Sequence, residues 1–316
     1  MDTSRSVTAT TTPQPVAVAK KLHKRPTKTG APAALKLSIG ALSRVAPGAA
    51  AWLVERLWFT PPRPPIPAAS RARLAEGQLL PLTVDGRQVR ARSFGRGLTV
   101  ALMHGWGGYG GQLADFIMPL VAAGFRVVVF DALGHGDSPG SRAGFRQSTF
   151  FDFRDGLLAI SEAVGPLHAV VAHSGGAMAT LLALRAGLAV ERLVLLAPMA
   201  RPALYAVTFG QVLGLGSDVT ARWQERVRAR LGLGFADLDA SVLGDLVPPP
   251  TLVLHDRGDR EVPFADGEAI AGAWPRAELA ATENLGHRRI LHDPTVLART
   301  VEFLTERLGG SPCVES

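Results

Sequence analysis

Apolar positions along this chain fall into two rhythms. From residue 78 onward, short runs rich in Val and Leu alternate with longer amphipathic stretches. The short runs at 82–84, 88–93, 99–104, 126–131, 168–173, 192–197, 251–255 and 278–281 predict strands. Most of them are apolar throughout, as strands covered on both faces must be. The stretches near 112–124, 149–164, 176–187, 264–273 and 293–308 repeat at helical spacing and predict helices. Strand-then-helix alternation predicts an α/β domain with a mostly parallel central sheet of about eight strands and helices on both faces. Asp85-Gly86 between the first two runs predicts an opening hairpin.

The rhythm breaks between Pro198 and Val247, where about fifty residues separate two strand signals. Structureless connections of that length are uncommon, and long insertions of this kind carry function. Its first part, 203–216, is apolar and Gly-rich. Its second part, 219–231, reads as an Arg-rich helix capped by Ser217 or Asp218. Residues 199–247 are therefore expected to form a small lid insertion. Ahead of the alternating region, residues 32–58 predict two helical pieces broken at Pro47, which suits the first turn of the second. Leu53, Leu57 and Trp58 give that piece an apolar face to pack on the domain. The stretch Thr-Pro-Pro-Arg-Pro-Pro-Ile-Pro-Ala at 60–68 reads as a linker. The expected organisation is a disordered basic tail over 1–30, a helical extension with its linker over 31–68, and the α/β domain over 69–310.

Charge refines the picture. The 316 residues carry a net charge of +7. The first 66 hold ten Lys/Arg against two acids, a net +8, which leaves −1 for the remainder. The basic character thus belongs to the front end, and a nucleic-acid enzyme is rejected. The run Lys20–Lys28 reads as a solvated tail in preference to a contact with an anionic membrane surface. Hydrophobic residues make up 47% and charged residues 19%, a globular balance. No uncharged apolar run reaches the roughly 20 residues of a membrane span. The first nineteen residues lack the apolar core of a secretory signal. The single cysteine, Cys313, allows no internal disulfide. A cytoplasmic protein is expected. No cluster has metal-ligand spacing and no phosphate or dinucleotide fingerprint stands out, so neither metal nor cofactor is expected.

Chemistry concentrates at the end of the run 168–173. It leads directly into Ser174-Gly175-Gly176 and then a helical run. A serine on so tight a strand-to-helix turn projects its hydroxyl. The turn needs small residues two before and two after it, here Ala172 and Gly176. The helix start behind it aims unpaired N–H groups at developing negative charge.

This stretch resembles the nucleophile elbow of the α/β-hydrolase superfamily, with Ala172 where the usual pattern Gly-x-Ser-x-Gly has its first glycine. The resemblance spans roughly 78–308 and rests on four motifs in order. His104-Gly105-Trp106-Gly107-Gly108 resembles the segment that donates a backbone N–H to the substrate. By that resemblance the oxyanion hole is formed by the amides of Trp106 and Gly175, with His104, Gly105 and His173 at the substrate site. Asp131 to Ser138 resembles a structural turn, with Asp131 and Asp137 satisfying backbone donors. The triad acid is implied two residues before Val-Pro, at Asp259, in preference to its rival Asp256. The base is implied at His287 in Gly286-His287, in preference to His292. The order Ser174, Asp259, His287 is the superfamily's order.

What the resemblance implies is a serine hydrolase of the esterase or lipase kind. It would cleave a carboxylic ester of a partly hydrophobic small molecule through an acyl-enzyme. A thioesterase, lactonase, C–C hydrolase or acyltransferase on the same triad, and a non-catalytic ligand-binding member of the fold, remain as alternatives. A small-molecule ester is the expected partner; the sequence leaves oligomeric state open.

Overall fold

A computed structural model describes residues 33–242 and 244–306. The basic tail expected over 1–30 and Cys313 lie outside the described residues. Two helices, α1 (Ala33–Val45) and α2 (Pro47–Trp58), come first, with Pro47 opening the second as expected. Then follow α3 (Ala68–Ala75) and four short strands: β1 (Gln78–Leu79), β2 (Leu82–Val84), β3 (Arg87–Val89) and β4 (Ala91–Phe94). The alternating body comprises β5 (Thr99–Met103), α4 (Ile117–Ala122), β6 (Arg126–Phe130), α5 (Phe150–Val164), β7 (Leu167–His173), α6 (Gly175–Arg185) and β8 (Val190–Leu196). The insertion contains α7 (Pro202–Leu213) and α8 (Ser217–Leu231). The chain then completes β9 (Thr251–Asp256), α9 (Phe264–Ala273), β10 (Ala277–Thr282), α10 (Gly286–Arg289) and α11 (Pro294–Thr305).

The central sheet has eight strands in the order β1-β4-β6-β5-β7-β8-β9-β10. All pairs from β6 to β10 are parallel, and β4 and β1 add antiparallel at one edge. The expected mostly parallel sheet of about eight strands is present. Every residue of β5, β7 and β9 is buried, because separate apolar cores cover the two faces. The opening hairpin is shorter than expected. Leu82–Val84 pairs only with Arg87–Val89, across a turn with positive φ at Asp85 and Gly86. Ala91–Phe94 leaves that hairpin and pairs with β6. The Arg-rich helix also starts earlier than expected. Gly216 is its N-cap, so Ser217 and Asp218 lie inside the first turn and make no cap bond.

At the front end, α1 and α2 pack on the insertion, joining α7 and α8 in a third apolar core. Trp223, fully buried, stands at its centre, with its ring 5.4 Å from Trp58 and 5.7 Å from Phe209. Glu55 on α2 is 4% exposed and meets Arg226 at 2.6 Å and Arg230 at 3.1 Å on α8. The insertion and the extension thus make one four-helix cap. At its base, Arg201 and Tyr205 bind the buried carboxylate of Asp266 on α9, which also accepts the Ala200 N–H. Among the described residues no helix is long and apolar enough to cross a membrane.

Trp223→Ala should remove the cap's central side chain and leave a cavity between α2, α7 and α8. The expected loss is about 3–5 kcal/mol, the usual cost of truncating a buried aromatic. Urea unfolding followed by circular dichroism measures it; a loss below about 1 kcal/mol would show that the cap does not depend on this core.

Candidate active site

The site lies at the carboxyl ends of β5, β7 and β9, where open α/β sheets place ligands. Ser174 follows the last residue of β7 and is the N-cap of α6, with φ 54° and ψ −122°. A non-glycine residue at positive φ is strained by about 1–3 kcal/mol, so its neighbours must hold it. They do so by close backbone approach. A Cβ on Gly105 would stand 2.9 Å from the Ser174 Cβ, and one on Gly176 would stand 2.7 Å from the His104 carbonyl oxygen. The Ser174 N–H donates to Leu196 at 2.9 Å, and its carbonyl accepts from Met199 at 3.1 Å. Ala172 in β7 is fully buried and fits where the family pattern has glycine.

Asp259 sits in the loop after β9. Its Oδ1 accepts the N–H groups of Glu261 at 2.8 Å and Val262 at 2.9 Å, and its Oδ2 accepts from His287 Nδ1 at 2.8 Å. The carboxylate has no solvent exposure. Burial alone would raise its pKa. Hydrogen bonds from His255, His287 and Val262, with the nearby imidazole charge, outweigh that and hold it well below the usual carboxylate range. His287 is 8% exposed and lines, with Ser174, a cavity of about 760 Å³. The hydroxyl and the imidazole share this cavity, although among the described residues no hydrogen bond joins them. Such contacts often tighten only when substrate is bound.

The rival carboxylate has a different place. Asp256, at the end of β9, accepts from Gly258 N–H, from Leu285 N–H and from the Thr282 hydroxyl. Burial would raise its pKa; the hydrogen bonds from Leu285, Gly286, Gly258 and Thr282 lower it instead. Asp256 thereby ties the loop carrying Asp259 to the loop carrying His287. His292 is exposed and pairs with Asp115.

Trp106 and Gly175 are brought together. A Cβ built on Gly175 would lie 3.6 Å from the Trp106 nitrogen. Gly175 is the first residue of α6, so its N–H has no preceding turn to bond. Gly105 and His173 line the same cavity as Ser174. His104 is corrected: it is fully buried and does not line the cavity. Its Nδ1 donates to the Gly105 carbonyl at 2.8 Å and its Nε2 accepts from the Ala132 N–H at 3.1 Å. Burial pushes its pKa down to about 4, which keeps it neutral as that pairing requires. It shapes the loop that carries Gly105 and Trp106. Among the two aspartates of the structural turn, Asp131 accepts from Gly110 and Asp137 N–H groups as expected. Asp137 instead pairs with Arg71 at 2.5 Å.

Two histidines act in ways the chain order does not reveal. His173 Nε2 donates to the His287 carbonyl at 3.0 Å. Burial, then the neighbouring His287 charge, lowers its pKa to about 3. His255 Nε2 lies 3.2 Å from the Val262 carbonyl and 3.5 Å from Asp259 Oδ2. Both hold the backbone or carboxylate of the loops bearing Asp259 and His287. In the sequence His255 is marked only by closing a strand, whereas His173 is also marked by its place in the elbow beside Ser174.

With the sheet, the elbow and the Asp259–His287 pair in place, the fold is that of the α/β-hydrolases, as its likeness to solved structures shows. Residues 97–242 match the model of the hydrolase family described as serine aminopeptidase, S33. A curated relative, the pimeloyl-[acyl-carrier protein] methyl ester esterase of Aromatoleum aromaticum, is 28% identical over 250 residues, covering 64% of this chain and 96% of the relative. Among solved structures, a thermophilic esterase from Thermogutta terrifontis superposes with a TM-score of 0.55 at 20% identity, covering 72% of this chain and 98% of the esterase. Est816, described as an N-acyl homoserine lactone degrading enzyme, gives 0.55 at 19% identity, covering 70% and 98%.

The ionised form of Asp259 is favoured by folding, so its contribution to stability is complete above the ordinary carboxylate value of 3.8 and is lost as pH falls below it. Urea unfolding between about pH 5 and about pH 2 should show the native protein losing stability more steeply than Asp259→Asn. Equal slopes would mean that the carboxylate is not held as described.

Proposed function

We propose that the protein is a serine ester hydrolase with Ser174 as nucleophile, His287 as base, Asp259 as orienting acid, and the amides of Trp106 and Gly175 as the oxyanion hole. The observation that carries this reading is the 2.8 Å bond from His287 Nδ1 to Asp259, with the same imidazole opening on the cavity of Ser174. That bond fixes the tautomer with its proton on Nδ1 and leaves Nε2 free to accept.

The steps follow from this arrangement. His287 Nε2 takes the hydroxyl proton as Ser174 Oγ attacks the acyl carbon. The carbonyl electron pair moves onto oxygen, where two N–H groups stabilise it. Asp259, already ionised, stabilises the imidazolium. The tetrahedral centre collapses, the C–O bond to the alcohol breaks, and His287 gives its proton to the leaving oxygen. Water, deprotonated by the same imidazole, then cleaves the acyl-enzyme. An ester is preferred over a thioester, a lactone or a carbon–carbon bond because the curated relative is a methyl ester esterase. The apolar side of α7 supplies a water-poor wall for a hydrophobic moiety. We further infer an N-terminal extension and linker over 31–68 ahead of a catalytic domain over 69–310. The activity described calls for neither metal nor cofactor.

The native protein should be labelled by a fluorophosphonate probe, and Ser174→Ala should not be. The same variant should lose at least about 10⁴-fold in kcat on p-nitrophenyl butyrate, the scale seen when a triad member is removed. Asp259→Asn should lose about 10⁴-fold, because the imidazole is then held in the wrong tautomer. Full turnover by Ser174→Ala would refute the assignment.

A further inference from the structure

The site has two chambers of opposite character. One, of about 760 Å³, holds Ser174 and His287 and is lined by Arg63, Glu261, Arg288 and His292. The other, of about 420 Å³, is almost wholly apolar and contains neither catalytic side chain. The two share Pro62 and Trp106 in their walls. The Trp106 indole packs edge-on against Phe150, 5.6 Å between centroids, and Phe150 in turn rests against Gly175. The apolar chamber therefore begins directly behind the proposed oxyanion donors.

Its far wall comes from an unexpected source. Leu57, Trp58 and Phe59 at the end of α2, with Thr60 and Pro62 after it, face Tyr205 and Phe209 of α7. These front-end residues precede the segment that matches the family model, which begins at residue 97. The solved neighbours are covered over 93–100% of their own length while matching only 68–73% of this chain. The front end is pinned rather than loose. Phe59 accepts the Ser148 N–H at 2.9 Å, Arg63 donates to the Gly134 carbonyl at 2.8 Å, and Trp58 stands 5.2 Å from both Phe209 and Phe235. The proline-rich linker also forms a wall: Pro62, Pro64 and Pro67 edge the chamber of Ser174.

The chemistry assigns each half of the ester to a chamber. His287 must protonate the departing oxygen, so the alcohol lies on the imidazole side, in the polar chamber. The acyl chain lies on the other side of the carbonyl, toward Trp106 and Phe150. We propose that residues 57–62 complete an acyl-binding chamber with α7, and that the protein selects esters pairing an extended apolar acyl chain with a small or polar alcohol. This rests on the ester-hydrolase reading above and goes beyond it in naming the substrate class and the segment that sets it.

Three measurements on the full chain test the proposal. In the first, methyl decanoate and decyl acetate are compared as substrates of the native protein. A kcat/KM at least tenfold higher for methyl decanoate is expected; parity or the reverse order overturns the acyl-side assignment. In the second, titration calorimetry on Ser174→Ala uses decanoic and butyric acids as ligands. Decanoic acid should bind at least tenfold more tightly than butyric acid. In the third, Leu57→Trp and, separately, Thr60→Trp are placed in that background to fill the chamber from the α2 side. Each should weaken decanoic acid binding at least tenfold, with thermal melting by circular dichroism verifying the fold. Thr60 is exposed and its substitution does not open the cap core, so it serves if Leu57→Trp fails to fold. Unaltered decanoic acid binding in folded variants, or equal binding of the two acids, overturns the proposal. If no ester is turned over but binding follows this pattern, the ester reading falls while the chamber assignment stands.

Discussion

The rest of the site depends on one steric constraint, the approach of the β5 loop to the turn after β7. Ser174 takes a backbone conformation that side-chain-bearing residues avoid. It can do so only because Gly105 and Gly176 let two pieces of main chain pass at distances no Cβ would allow. That contact sets where the hydroxyl points and how near the Trp106 amide comes to Gly175. The rigid, fully buried strands on either side make the geometry a property of the sheet, not of the loops alone.

The second half of the constellation is organised by a carboxylate that takes no part in the proposed chemistry. Asp256 gathers donors from the loops of both Asp259 and His287 and so ties the two loops together. His255 and His173 extend the same support, one to the Asp259 carboxylate and one to the His287 backbone. Buried and neutral, His173 can donate without bringing a competing charge beside His287, the proposed base.

Much of this was legible in the chain. Continuous apolar runs identify strands that are buried on both faces, and the order of Ser174, Asp259 and His287 identifies the motifs. What was not legible shares one physical cause: it depends on partners distant in sequence. The strand Ala91–Phe94 reads as part of a hairpin because local alternation cannot reveal that β1 and β6 are its partners. His104 looks like a site residue because it neighbours Gly105, yet both its nitrogens are spent on backbone. The apolar face of α2 predicts a packing partner but not that α8 supplies it, with Glu55 and two arginines across the seam.

Trp106 carries a double assignment in the proposed site, since its amide is a donor to the oxyanion while its indole is the partition between the two chambers. Redesign of chain-length preference by enlarging the opening at this residue would therefore disturb rate and selectivity together. The α2 and α7 walls, which supply neither proposed oxyanion donor, are where the proposed acyl selectivity would be retuned independently of turnover.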